Sequence, residues 1–404
     1  MNRTPHNPWL HCFAVFTALA TLALLGVGGI VTSKGAGMAV PDWPTSYGYN
    51  MFWLPLKWWH GGAFYEHTHR LFAVFVGLLT SILAAWIWGR ETAGRTRWAG
   101  WITILAFVLM LGHRGSGNAS GGAVGVPFHF NILAVLIPVL LVFSVVQYIR
   151  TRGLLRWLGM TAFFAVIFQG ILGGFRVTLY KDQIGIGHAT LAQLFFTLVC
   201  VFAVFLSRWW NEMEAKPVEK ESRLRRWFIS ATLLIFIQLV LGAAMRHQHA
   251  GLAIWDFPLA HGQLWPDTSV EAIARYNQQR AELVAFNPIT AMQVRLQMLH
   301  RISALLIVIT VAISAWLTLK CTGQGNALRR VAIEWIVLIA LQATLGMLTV
   351  LKNKPADIAT AHVVVGALSL ATGVLLVVLT YRVKILSFTR SEPLLCSRDA
   401  VGAN

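Results

Sequence analysis

The chain has 404 residues, 56% of them hydrophobic and only 12% charged, with a mean hydropathy of +0.62. These values exclude a disordered protein, a soluble dinucleotide-binding or barrel enzyme and a disulfide-stapled secreted domain, and leave an all-α polytopic membrane protein. The 33 Lys and Arg against 16 Asp and Glu give +17, an excess that membrane orientation explains, so no nucleic-acid partner is expected.

Ten apolar runs are predicted to span the bilayer, at about 11–33, 68–88, 97–112, 127–149, 155–175, 188–207, 226–245, 297–319, 330–351 and 361–382. Each is apolar on all sides, as a membrane helix is and a barrel strand is not. Only 97–112 is short. Alternating the loops between two sides collects Arg90, Arg95, Arg97, Arg150, Arg152, Arg156, the basic run of 208–226, Lys320, Arg329, Arg330 and the basic tail on one face. The positive-inside rule makes that face cytoplasmic and predicts a multi-pass membrane protein with both termini inside. The first span lacks a basic n-region and a small-residue cleavage site, so a retained helix is expected rather than a signal peptide; no organellar transit peptide is expected either. Cys12, Cys200, Cys321 and Cys396 fall within spans or on the reducing side, so no structural disulfide is expected. The segment 211–226 reads as a solvated linker and 246–296 as a long, polar outer loop.

The chain also repeats itself. Gly37-Met38-Ala39-Val40-Pro41-Asp42-Trp43-Pro44 follows the first span, and Gly251-Leu252-Ala253-Ile254-Trp255-Asp256-Phe257-Pro258 follows the seventh. His69-Arg70 opens the second span and His300-Arg301 the eighth. Gln169-Gly170-Ile171-Leu172-Gly173 matches Gln342-Ala343-Thr344-Leu345-Gly346, and His188 stands opposite His362. Two homologous helical bundles in parallel tandem repeat follow, since each half has an even number of spans. The boundaries are 1–207 for the first bundle, 208–226 for a cytoplasmic linker, 227–382 for the second bundle and 383–404 for a cytoplasmic tail. The first half is longer by an extra helix pair at about 95–152, predicted to pack outside its bundle and to add no ligand.

Four of the 13 histidines occupy corresponding places: His69 and His188, His300 and His362. Imidazoles are costly in a membrane, and two on facing helices are the usual axial pair for a heme. Zinc is disfavoured, because a closed zinc site takes four ligands. His6, His11, His60, His113, His129, His247, His249 and His261 read as interfacial or hydrogen-bonded imidazoles. The halves differ at Glu66, one turn before His69, whose counterpart is Gln297. A carboxylate there either moves protons or pairs with Arg70.

Glu66-x-x-His69-Arg70, the Gly37-to-Pro44 turn, the Gln169-to-Val177 run and the set His188, His300 and His362 resemble the heme A synthase family over nearly the whole chain except about 95–152. The resemblance implies an eight-helix core, here with two helices added. It also implies two successive hydroxylations of a methyl group of heme O, the resulting gem-diol losing water to leave the formyl group of heme A for terminal oxidase assembly. His69 and His188 would face the substrate or product heme, with Glu66 as the catalytic acid/base residue, and His300 and His362 would ligate the iron of a resident heme b. Arg70, Arg176, Arg246 and Arg301 are candidates for the heme propionates and equally for interfacial anchoring; Arg70 and Arg301 lead that set. Implied partners are a heme O synthase as supplier, a ferredoxin as electron donor and oxidase assembly factors; a homo-oligomer is also compatible. Many bacterial relatives carry a cysteine pair in the first outer loop where this chain has Val40 and Ser46, so no thiol contribution is expected. The competing readings are a bis-histidine cytochrome b in quinone-linked electron transfer and a heme transporter. Pure electron transfer has no use for Glu66, and a transporter would break its helices at mid-membrane.

Overall fold

The computed structural model describes residues 6–116, 153–213, 218, 220–279 and 288–390. Among these the chain is all-helical, and eight helices are long and apolar enough to cross a membrane. They are α1 Pro8–Ser33, α2 Gly61–Glu91, α4 Leu154–Leu179, α5 Asp182–Leu206, α6 Glu221–His247, α8 Ala291–Cys321, α9 Ala327–Leu351 and α10 Ala356–Arg390, whose apolar span ends at Val383. Further helices include α3 Gly94–Ser116 and α7 Val270–Gln279. The sequence expectation of ten spans meets the structure at eight. The short run 97–112 falls within α3, a 23-residue helix outside those eight, and 127–149 with its His129 lies outside the described residues.

Helix starts follow capping chemistry rather than hydropathy. Asn7 accepts from the Leu10 N–H at 3.1 Å with Pro8 in the first turn. Thr290 and Gln293 form a reciprocal capping box ahead of α8. α8 consequently begins more than a turn before its apolar run; α2 also starts early, at Gly61, without a side-chain cap. Glu221 likewise starts α6 inside the expected linker, where it pairs with Arg225 at 2.6 Å one turn on. The amphipathic α7 was not anticipated from the polar loop; it buries Ala272 and Tyr276.

The chain divides into two compact units. The first comprises residues 1–208 with Arg246–Gln248 and Pro355–Val364, and the second Trp209–Met245, His249–Lys354 and the remainder of α10. In the first, α1 packs on α2 and α5, and α4 packs on α2 and α5, closing a four-helix ring. Leu10, Ala14, Val76, Leu83, Phe195, Val199 and Phe202 fill its core. α3 lies against this ring, with Ile104 and Phe107 packed on Trp88, Met160 and Phe163 of α2 and α4. Two indoles fix it: Trp88 donates to the Thr96 carbonyl and Trp101 to the Ala85 carbonyl, each at 3.0 Å. In the second unit α6, α8, α9 and α10 share one core around Phe228, Val311, Trp335 and Leu376. Burying side chains of Trp335 size contributes about 1.5–3 kcal/mol each when a soluble chain folds. In lipid the same packing acts through dispersion and shape, and Trp335 also donates its N–H to the Ser369 carbonyl at 2.8 Å.

Candidate functional site

The first three turns of α2 carry Glu66, His67, His69 and Arg70. Glu66 and Arg70 are one turn apart and form an ion pair at 2.7 Å, their side chains 5% and 9% exposed. Arg70 also donates to the carbonyls of Asp42 at 2.6 Å, Thr45 at 3.0 Å and Val40 at 2.8 Å. The second oxygen of Glu66 accepts the Val40 N–H at 2.9 Å. The pair therefore clamps the loop between α1 and α2 onto the helix. Asp42 shapes the loop from within, accepting the N–H groups of Tyr47 at 2.6 Å and Gly48 at 2.9 Å. Burial pushes its carboxyl up, but bonds from the Thr45 side chain and the Gly48 and Tyr47 amides outweigh this and hold it below the ordinary carboxylate range. The turn places Tyr47 at φ 53° and Gly48 at φ 76°, left-handed backbone that suits glycine.

The loop between α6 and α8 is built from the same bonds. Gln297 accepts the Ile254 N–H at 2.6 Å, and Arg301 donates to the carbonyls of Leu259 at 2.9 Å, Asp256 at 2.7 Å and Ile254 at 3.5 Å. Asp256 accepts the amides of His261 and Gly262, each at 2.8 Å. Isolated bridges join Ser46 to Tyr49 and Ala260 to Gln263, and the Trp43-Pro44 and Phe257-Pro258 bonds are both cis. Tyr47 donates its hydroxyl to the Ala39 carbonyl at 2.5 Å, and a His261 ring nitrogen meets the Ala253 carbonyl at 3.0 Å. The chief difference is at the clamp, an amide in one loop and a carboxylate in the other. Holding the loop does not require the charge of Glu66.

Three of the four histidines lie against glycines. A Cβ added at Gly28 would sit 3.0 Å from His69 Cε1, one at Gly173 3.3 Å from His188 Cε1, and one at Gly242 3.4 Å from His300 Cε1. A missing side chain on the neighbouring helix is what admits each ring. Gly28, Gly173 and Gly242 escaped the sequence reading, although glycine inside an apolar helical run is a packing signal. Gln169 donates to the His188 carbonyl and Gln238 to the His300 carbonyl, each at 3.0 Å, and Ser303 hydrogen-bonds to Gln238. His69 and His188 come together in the first unit, within electrostatic range of each other. Their Nδ1 atoms are buried without a hydrogen-bond partner, a costly arrangement unless the rings serve a ligand. His300 belongs to the second unit, and His362 stands in the opening turns of α10, which group with the first.

Among the described residues no three His, Cys, Asp or Glu gather as a metal site. A two-imidazole donor set suits the axial positions of a heme and falls short of zinc. His11 and His60 meet the carbonyls of Ala203 at 3.0 Å and Lys57 at 2.9 Å, as ordinary hydrogen-bonded imidazoles do. Cys12, Cys200 and Cys321 are free. The arginines separate by what they already hold. Arg70 and Arg301 are engaged by loop carbonyls, which leaves little of either for a propionate. Arg246 donates to the Gly29 carbonyl at 2.7 Å, the Ser33 hydroxyl at 2.8 Å and the Ala359 carbonyl at 3.4 Å.

The family model of the cytochrome oxidase assembly protein (COX15-CtaA) matches residues 130–374. Among curated relatives, a protein named heme A synthase from Bartonella tribocorum is 28% identical over 49% of this chain and 53% of its own. The chain thus spans about half the length of that relative in the matched region. Proteins of the same name from Bartonella henselae and Shouchella clausii are each 23% identical, over 89% and 83% of this chain and 88% and 85% of theirs.

Proposed function

This chain belongs to the cytochrome oxidase assembly protein family, and from that premise we propose that it is a membrane oxidoreductase converting heme O to heme A for terminal oxidase assembly. The observation that carries the reading is the His69 and His188 pair. Two imidazoles with unpartnered ring nitrogens lie within electrostatic range of each other, and one of them, His69, stands one helical turn from a carboxylate whose structural duty a glutamine performs elsewhere in the chain.

In this reading the two four-helix cores are tandem copies, with 1–207 carrying the substrate site and 227–382 a resident heme b on His300 and His362. Of the extra segment at about 95–152, α3 packs against the first ring and the remainder lies outside the described residues. His69 and His188 would hold the substrate heme by its iron, which when bound would supply a redox centre, the oxygen atoms and oxidising equivalents coming from an external oxygen donor. Glu66 handles protons. Its Oε1 accepts from Arg70 and its second oxygen from the Val40 N–H, which fixes the carboxylate beside His69 while the loop is held by the Arg70 bonds to main-chain carbonyls. The termini are cytoplasmic, the membrane is the bacterial inner membrane, and a heme O synthase and a ferredoxin-type donor supply substrate and electrons. A cytochrome b confined to electron transfer would gain nothing from Glu66.

Extraction of pigment from the purified, full-length protein tests the proposal. The expected content is heme b together with heme O or heme A; a protein containing neither heme O nor heme A, and failing to convert added heme O, refutes it.

A further inference from the structure

Arg176 stands in the last turn of α4, half-buried. Among the described residues it makes no hydrogen bond and no ion pair. The carboxylates that act on it, Glu66 and Asp182, do so at range, and Glu66 is already committed to Arg70 and Val40. The segment 117–152 carries no Asp or Glu in its sequence. Arg176 lies within electrostatic range of both His69 and His188. A second guanidinium, Arg246, lies within range of Arg176, so positive charge accumulates beside the imidazole pair. The loop makes room for this group: a Cβ added at Gly37 would sit 2.6 Å from an Arg176 terminal nitrogen. Counting from Gln169 and Gln342, the equivalent position in α9 is Thr349, whose hydroxyl donates to the Leu345 carbonyl. The device belongs to the first unit alone.

A free guanidinium in low dielectric beside like charge seeks a carboxylate, which it grips with paired N–H groups. We infer that Arg176, seated on Gly37, is the carboxylate anchor of the substrate site and selects a porphyrin whose propionates are free. The inference rests on the proposed function. It assigns the anchoring role away from Arg70 and Arg301, which the loop carbonyls occupy. Arg246 adds long-range attraction while remaining bonded to Gly29 and Ser33.

The test titrates the full-length protein in detergent with iron protoporphyrin IX and, separately, with its dimethyl ester, followed by Soret absorbance. The wild type is expected to bind the diacid at least ten-fold more tightly than the ester. Arg176→Gln should abolish that preference, Arg176→Lys should retain part of it, and Gly37→Ala should weaken diacid binding with the charge intact. Equal binding of the two porphyrins by the wild type overturns the anchor without any variant being needed. So does a diacid preference that survives in Arg176→Gln. Failure of the wild type to bind either porphyrin overturns the proposed function itself, and is thereby distinguished from failure of the anchor.

Discussion

Replacing Glu66 by Gln separates the fold from the chemistry, because the chain already contains the product of that exchange. At Gln297 the amide oxygen accepts the Ile254 N–H at 2.6 Å, and the amide nitrogen donates to the carbonyls of Ile254 at 3.0 Å and Gly251 at 3.3 Å. In Glu66→Gln the same roles fall to the Val40 N–H and to the Val40 and Gly37 carbonyls. What is lost is one charge-assisted bond to Arg70, worth about 1.5–3 kcal/mol. Arg70 keeps its three carbonyl acceptors, as Arg301 does without a carboxylate. The cost therefore stays below the roughly 3–5 kcal/mol of stranding a buried charge. Against a typical stability of about 5–15 kcal/mol the variant remains folded. Arg70→Met, by contrast, strands the Glu66 carboxylate and leaves three carbonyls unserved, and should fall in the larger range. The assay is thermal unfolding of the detergent-solubilised protein together with the ratio of heme A to heme O in extracted pigment. Expected for Glu66→Gln are a modestly lowered Tm, retained resident heme and little heme A. Conversion at the wild-type level would reduce Glu66 to a clamp.

If the resident heme b is held by the second histidine pair, His300→Ala or His362→Ala removes the low-spin heme b spectrum of the purified protein, and an undiminished spectrum sinks that assignment. Gly28→Leu drives a side chain into His69, where even a Cβ would be 3.0 Å from the ring; substrate-heme binding should fall at least ten-fold while Gly77→Leu, at a position with no neighbour within 4 Å of a Cβ, leaves it unchanged, and equal effects of the two would discount the ring contact. Asp42 has a depressed pKa, so its contribution to stability is complete above the unfolded value, near 3.8, and is lost as pH falls through the lower folded value. Thermal stability of the wild type should thus fall in acid below that value, and Asp42→Asn should show a flatter acid limb; parallel profiles would contradict the hydrogen-bond account.

Much of this was legible in the residues. Apolar runs located the eight spans because lipid demands a long, unbroken apolar stretch. The matched turns marked two loops that the structure builds with the same bonds. Helix ends were not legible from hydropathy, since Thr290 with Gln293 and Glu221 with Arg225 extend α8 and α6 into polar sequence that a lipid criterion passes over. The clamp role of Arg70 was weighed only as pairing with Glu66, because its other partners are main-chain carbonyls, which leave no mark on composition. The ring contacts of Gly28 and Gly242 required two helices in register. α7 was missed because its apolar face is only two residues deep. The segment around 127–149, with His129, lies outside the described residues.

Arg70 and Arg301 grip their loops through peptide oxygens, groups every residue possesses. Such a grip is blind to side-chain identity: Thr45 and Leu259, Ser46 and Ala260, Tyr47 and His261 occupy matching places under the same clamp. Two loops held in this way can therefore differ in side-chain chemistry while keeping one shape. In such a frame a single exchange, glutamine for glutamate or the reverse, changes the charge at the clamp without changing how the loop is held.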